Sequence, residues 1–154
     1  MNAKKRNIPT SHMMELPRQI VVGEKNIDRV GEFLESLARP KKVSIISGNN
    51  VIKKIGKKID VSLKKSSIRH VWHLASSNHV NTIKEIEKKV KGDKSDLIIG
   101  LGGGRSVDIA KFCAFNLKTQ FVSIPTSASH DGIASPFVSV RGDKPHSLMA
   151  TAPL

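Results

Sequence analysis

The chain has no tyrosine, one tryptophan and one cysteine in 154 residues, and half as many acids as bases. Each shortage removes a class of explanation. A single thiol, Cys113, forms no internal disulfide, which separates the chain from small disulfide-stapled secreted folds. With aromatics at 4%, little is available to stack the bases of single-stranded nucleic acid. No apolar run reaches the ~18 residues of a membrane span. The opening "MNAKKRNIPTSHMMELPRQ" lacks the apolar stretch of a secretory signal. No G-K-[ST] follows the glycine-rich stretch, which excludes a P-loop, and no H-x-x-x-H on a helical pattern marks a metal site.

What is abundant is positive charge. Lysine and arginine number 26 against 13 acids, a formal +13. Such a surface attracts polyanions, so a basic polyanion-binding module is the reading to weigh against an enzyme. The lysines fall mostly in "VIKKIGKKIDVSLKK" and "IKEIEKKVKG", where they read as the solvent faces of amphipathic helices. Specific nucleic-acid binding is therefore not expected.

Apolar strand-like runs alternate with helical periodicity along the chain. "RQIVVG" (18–23) reads as a short strand. "NIDRVGEFLESLAR" (26–39) reads as a helix capped by Asn26, with Ile27, Val30, Phe33, Leu34 and Leu37 on one face and Pro40 as its stop. "KKVSIISG" is a strand, and "NNVIKKIGKKI" a helix. "IRHVWHL" (68–74) is a strand, and "SSNHVNTIKEIEKKVKG" (76–92) a capped helix ended by Gly92. "SDLIIGLGGG", "RSVDIAKFCAFNL" and "TQFVSIPT" continue as strand, helix and strand, and "FVSVRGDKPHSLMA" reads as a hairpin turning at "RGDK". This rhythm predicts an α/β fold: a Rossmann-like parallel sheet with helices on both faces, plus a C-terminal β-hairpin. The first 13 residues read as a basic arm, and 14–154 as the folded domain.

Two stretches carry the candidate chemistry. In "IIGLGGGRSVDIAKF" (98–112) an apolar strand runs through three successive glycines into a helix. One glycine suffices for a tight turn, and Gly103 and Gly104 are expected to supply the unusual dihedrals. Three bare positions also let a bulky group approach the backbone, where the N–H groups and positive end of the next helix suit a phosphate. It is not the G-x-G-x-x-G fingerprint, since Arg105 and Val107 stand where the third glycine belongs. Two readings stand for Asp108, a helix-stabilising acid or an orienter of the loop, and two for Arg105, pairing with phosphate or facing water. The second stretch is "IPTSASHDGIASP" (124–136), which offers the hydroxyls of Thr126, Ser127, Ser129 and Ser135 and the carboxylate of Asp131. Were the two preceding strands neighbours, both loops would share the carboxyl edge of the sheet, where open α/β folds bind ligands. Of the histidines, His70 and His73 fall on opposite faces of a strand, His79 reads as a solvated first-turn residue, and only His130 lies beside a candidate acid. Cys113 reads as an inert, packed thiol.

Taken in order, "MELPRQIVVG", "GLGGGRSVDIAK", "PTSASHDGIASP" and "SLMATAP" resemble the sn-glycerol-1-phosphate dehydrogenase family, within the superfamily of iron-containing alcohol dehydrogenases, glycerol dehydrogenases and dehydroquinate synthases. The resemblance implies a cytoplasmic, mainly archaeal oxidoreductase that uses NAD or NADP. Such enzymes reduce dihydroxyacetone phosphate to sn-glycerol 1-phosphate for the phospholipids of ether-lipid membranes, and the full-length enzyme is expected to be a homo-oligomer. It implies that Gly103, Gly104, Arg105, Ser106, Val107 and Asp108 hold the cofactor pyrophosphate. Thr126, Ser127, Ala128, Ser129 and Ser135 would meet the nicotinamide half, Gly48 and Asn49 the adenosine ribose, and Asp131 the substrate. It further implies a second, helical domain whose aspartate and two histidines bind zinc. None of those ligands is recognisable here, so the chain reads as an NAD(P)-binding part, truncated before the metal domain and without turnover alone. A glycerol dehydrogenase or dehydroquinate synthase relative is the alternative within the superfamily.

Overall fold

The computed structural model describes residues 19–127, 137–142 and 145–149. A 3-10 turn (Asn26–Arg29) leads into α1 (Val30–Leu37), followed by β1 (Lys42–Ser47), α2 (Asn49–Lys65), β2 (Arg69–Leu74), α3 (Val80–Asp93), β3 (Leu97–Gly102), α4 (Gly104–Leu117) and β4 (Gln120–Pro125). A hairpin of β5 (Phe137–Arg141) and β6 (Pro145–Met149) completes the described elements. The first four strands form one parallel sheet in the order β2-β1-β3-β4, and β5 and β6 pair antiparallel.

The central strands explain the parallel arrangement. Along β1, Val43 and Ile45 enter one core and Ile46 the other; along β3, Leu97, Ile99 and Leu101 enter the first and Ile98 the second. Strands apolar on both faces need cover on both sides, and the crossover helices supply it. On one face α1 and α2 contribute Val30, Leu34, Ile59 and Leu63. On the other, α3 and α4 contribute Ile83, Ile86, Val90, Val107, Ala110, Cys113 and Ala114, joined by Val138 and Val140 of β5. The helix α4 lies very close to the sheet: a Cβ on Gly100 would stand 2.9 Å from Ala110 Cβ and 3.0 Å from the Val107 Cα. Only glycine fits there.

The amino edge of the sheet is closed by side-chain hydrogen bonds. Asp96 Oδ2, just ahead of β3, accepts the backbone N–H groups of Lys41 at 2.7 Å and Lys42 at 3.0 Å. Asp93 Oδ2 accepts the Ser44 hydroxyl at 3.0 Å and lies 2.6 Å from His73 Nε2, while Ser44 Oγ also meets Ser95 Oγ at 2.8 Å. On the other face of β2, His70 and Trp72 share Asp60 Oδ1 at 2.7 and 2.9 Å, so the two strand histidines face opposite ways as expected.

Several sequence expectations are corrected. Residues 19–22 form no strand; Ile20, Val21 and Val22 are exposed, and no ladder among the described residues pairs with their backbone. A β-branched run without a partner has no hydrogen bonds to hold it extended. Asn26 is not a helix cap: it opens the 3-10 turn, whose N-cap is Lys25, and the α-helix starts only at Val30. On α1, Leu37 is exposed, so the buried stripe is narrower than its periodicity suggests. Gly92 does not end α3; the helix runs through it to Asp93, and Lys94 takes the left-handed position at φ 52°. Lysine does the same after α4, where Lys118 sits at φ 52°, and Arg39 and Ser67 adopt positive φ just after α1 and α2. All four α-helices thus stop at a left-handed residue that is not glycine.

Candidate functional site

The strand order creates the site. From β1 the chain moves outward to β2, then crosses back to place β3 on the other side of β1 and continues to β4. The segments leaving β1 and β3 therefore lead to helices on opposite faces, α2 over one core and α4 over the other. Such a reversal leaves a crevice at the carboxyl ends of the two strands. Ser47 Oγ donates to the Leu101 carbonyl at 2.7 Å and locks the strands together at its floor.

Both helices that open onto the crevice have glycine N-caps. Gly48 precedes α2 with φ −80° and ψ 150°, and Gly103 precedes α4 with φ −80° and ψ −178°; neither helix has a side-chain cap. The Val51 and Ser106 N–H groups bond the cap carbonyls of Gly48 and Gly103, and the first two N–H groups of each helix have no intrahelical acceptor, so two positive helix ends face one space. No acid stands in the first turn of either helix. The residue with the unusual dihedral is Gly102, at φ 131°, rather than Gly103 or Gly104. Gly102 turns the chain out of β3, Gly103 is extended, and Gly104 is already helical. A Cβ at Gly103 would meet nothing within 4 Å, so that backbone is open to an incoming group. Ser106 is buried, and its Oγ stands 3.3 Å from where a Gly102 Cβ would lie and 3.9 Å from that of Gly48. The Ser106 side chain thus stands between two bare glycines.

Other predicted positions do different work. Val107 is fully buried in the core. Asp108 is buried as well, and its Oδ2 accepts the Ser139 N–H of β5 at 3.0 Å, so this carboxylate ties the hairpin to α4. One turn on, Lys111 is buried; desolvation pushes its pKa below the ordinary lysine value, and the Asp108 charge opposes that shift. Arg105 is exposed and its Nη1 donates to the Ser76 carbonyl at 3.3 Å. Asn49 is exposed in the first turn of α2. The neighbour relation of β3 and β4 holds, and the Thr126 N–H donates to the Gly102 carbonyl at 3.0 Å, which brings Thr126 and Ser127 to the glycine loop. Ala128, Ser129, His130, Asp131 and Ser135 lie outside the described residues. Cys113 is a buried thiol whose pKa is pushed up to about 12, first by desolvation and then by Glu87, consistent with an inert role.

Sequence reasoning passed over the loop after β2. Ser76 receives Arg105, Asn78 O accepts the Arg141 N–H at 2.9 Å, and His79 bridges to Arg141. Nothing in its composition marks it; only the strand order shows that it ends at the same sheet edge. The exposed lysines of α2 (Lys53, Lys54, Lys57, Lys58) and α3 (Lys84, Lys88, Lys89) lie on opposite layers, so they do not form one face.

Strand order and helix placement together define a Rossmann-like α/β domain with a topological switch point at the carboxyl edge of its sheet. A family model of iron-containing alcohol dehydrogenases matches residues 21–154, and the chain belongs to that family. Among its relatives is the glycerol-1-phosphate dehydrogenase [NAD(P)+] of Nitrosopumilus maritimus, 62% identical over 144 residues, covering 94% of this chain and 41% of the relative. The enzyme of the same name from Cenarchaeum symbiosum is 56% identical over equal shares. The chain thus spans about two fifths of the length of these relatives. In fold it is similar to the NADH-dependent butanol dehydrogenase A of Thermotoga maritima, with a TM-score of 0.82 at 21% identity over 92% of this chain and 42% of the other. A 1,3-propanediol oxidoreductase gives 0.79 at 15% identity, covering 90% of this chain and 43% of that one.

Proposed function

We propose that this chain is the dinucleotide-binding part of an NAD(P)H-dependent enzyme that reduces dihydroxyacetone phosphate to sn-glycerol 1-phosphate in the cytoplasm. The observation that carries the reading is the convergence of two glycine-capped helix N-termini beside the Ser106 hydroxyl. That donor set fits a pyrophosphate: several N–H groups, one hydroxyl and no carboxylate. The similarity of the chain to two archaeal glycerol-1-phosphate dehydrogenases supplies the substrate class.

Gly103, Gly104 and Ser106 would hold the pyrophosphate on one side of the crevice. Gly48 and Asn49 would flank the adenosine ribose on the other, and Thr126 and Ser127 the nicotinamide half. Bound there, the dinucleotide supplies the hydride. The absence of an acid at residues 48–50 leaves nothing to repel a 2′-phosphate, so NADP is accepted beside NAD. The zinc implied by the family resemblance has no donor set among the described residues, where no three His, Cys, Asp or Glu side chains cluster. Among the described residues no helix is long and apolar enough to cross a membrane.

Gly103→Ala tests the reading. The added methyl meets open space, so stability should stay within about 0.5 kcal/mol. NAD(P) affinity, followed by calorimetric titration, should fall about tenfold because the methyl occupies the cradle. Unchanged affinity would remove the glycine loop from the site.

A further inference from the structure

The strand β5 gives two hydrogen bonds away from its own ladder. Val138 and Val140 turn into the core beside α4, and Ser139 and Arg141 alternate with them. The Ser139 N–H is donated to Asp108 Oδ2 at 3.0 Å, and the Arg141 N–H to Asn78 O at 2.9 Å. In an antiparallel pair alternate residues turn their N–H groups outward, so neither bond is taken from the pairing with β6. A two-stranded hairpin is marginal by itself, and α4 supplies what holds this one. Asp108 is buried, and a carboxylate accepts a backbone N–H more strongly than a neutral group does. Lys111, one turn along the helix and also buried, lies within reach of its charge.

Asp108 sits in the second turn of α4, past the free N–H groups of Gly104 and Arg105. A carboxylate aimed at a pyrophosphate would repel it; this one is aimed at β5. The chain that joins β4 to β5 is thereby tied to the β3–α4 unit on both sides. Thr126 donates its N–H to Gly102 O at 3.0 Å at the first end, and Ser139 donates to Asp108 at the second. With the second tie broken, Thr126 and Ser127 would be rooted on one side alone. A chain held at one end has more conformations to lose when a ligand orders it. We propose that Asp108 is a positioning residue: through the Ser139 N–H it fixes the chain that leads from Thr126 and Ser127 to β5, and so holds the nicotinamide half of a dinucleotide in place without touching it. Naming the nicotinamide half rests on the dinucleotide reading; the tie between α4 and β5 does not.

Calorimetric titration of the chain with NAD and with ADP-ribose, which lacks the nicotinamide, tests it. Asp108→Ala should weaken NAD about tenfold and leave ADP-ribose within about twofold. Asp108→Asn keeps an acceptor for the Ser139 N–H and should stay within about threefold of the wild type for both ligands. Ser139→Pro removes the same N–H from the other side without breaking a ladder bond. It should reproduce the Asp108→Ala pattern, and it carries the test should the Asp108→Ala chain not fold. A general loosening of the fold would weaken both ligands alike. Equal losses for NAD and ADP-ribose, or NAD affinity unchanged in these variants, would overturn the proposal. So would an Asp108→Asn chain as weak as Asp108→Ala, since the charge and not the tie would then matter. A wild-type chain that binds neither ligand would instead overturn the dinucleotide reading, so the two failures look different.

Discussion

The two edges of the same four-stranded sheet are built on opposite rules. At the amino edge, Asp93 and Asp96 accept four hydrogen bonds or close contacts from Ser44, His73, Lys41 and Lys42, and polar groups find partners within the chain. At the carboxyl edge, two helices begin on glycine without a side-chain cap. An N-cap of serine, threonine or aspartate would stabilise each of those helices by about 1 kcal/mol. α1 also starts without a side-chain cap, at Arg29, but only the two helices at the carboxyl edge start on glycine. A satisfied edge holds the fold; an unsatisfied edge waits for a partner.

Breaking the amino edge should affect folding and spare binding. Asp93→Ala strands the His73 side chain and leaves the Ser44 hydroxyl only Ser95, and should cost about 3 kcal/mol in urea-induced unfolding. NAD(P) affinity measured where the variant is folded should stay within about twofold, because no group at the crevice moves. A large loss of affinity would mean that the two edges are coupled.

Filling the carboxyl edge should do the reverse. Gly48→Asp gives α2 a good N-cap, and its added Cβ would meet only Ser106 Oγ, at 3.9 Å. Stability should rise by about 1 kcal/mol, while the new carboxylate lowers dinucleotide affinity by about a hundredfold through like-charge repulsion. Stability and binding moving in the same direction would refute the contrast.

The core between the edges offers a smaller, pH-dependent check. Cys113 is raised from 9.0 to about 12 in the folded chain, by desolvation first and Glu87 second. Above pH 9 the unfolded chain loses the thiol proton while the folded chain keeps it, so stability falls as pH rises through that window. At about pH 9.5 the wild type should lose about 1 kcal/mol relative to its value at pH 7, beyond any loss in Cys113→Ala. Lys111 acts in the opposite sense: its lowered pKa means stability recovers as pH climbs toward the ordinary lysine value. Comparison with Cys113→Ala separates the two. Equal alkaline loss in both proteins would place the thiol outside the core.

Much of this architecture was legible because the central strands are apolar on both faces and the helices between them are amphipathic. The glycine loop and its neighbour after β4 were legible for the same reason, each closing a strand that periodicity identifies. What failed to show follows from interactions distant in sequence. The strand expected at 18–23 has the right residues and no partner for its backbone. Gly92 looked like a helix end, but the stop falls two residues later at Lys94, which no composition rule favours. The glycine that needs its freedom is Gly102, since the turn out of β3 begins one residue before the helix cap. Asp108 reads in the linear motif as a helix-stabilising acid or an orienter of the loop, yet helix geometry carries it round to Ser139, 31 positions away. The Ser76–His79 loop became visible only once β2 was seen to lie beside β1.

The helix ends set the headroom of this molecule for temperature. Arg39, Ser67, Lys94 and Lys118 hold left-handed backbone that a glycine would adopt without strain, and each side chain there costs on the order of 1 kcal/mol. None of these positions touches the crevice. A lineage moving to hotter water could therefore gain stability at four separate points, each by a single substitution, without altering what the sheet edge binds.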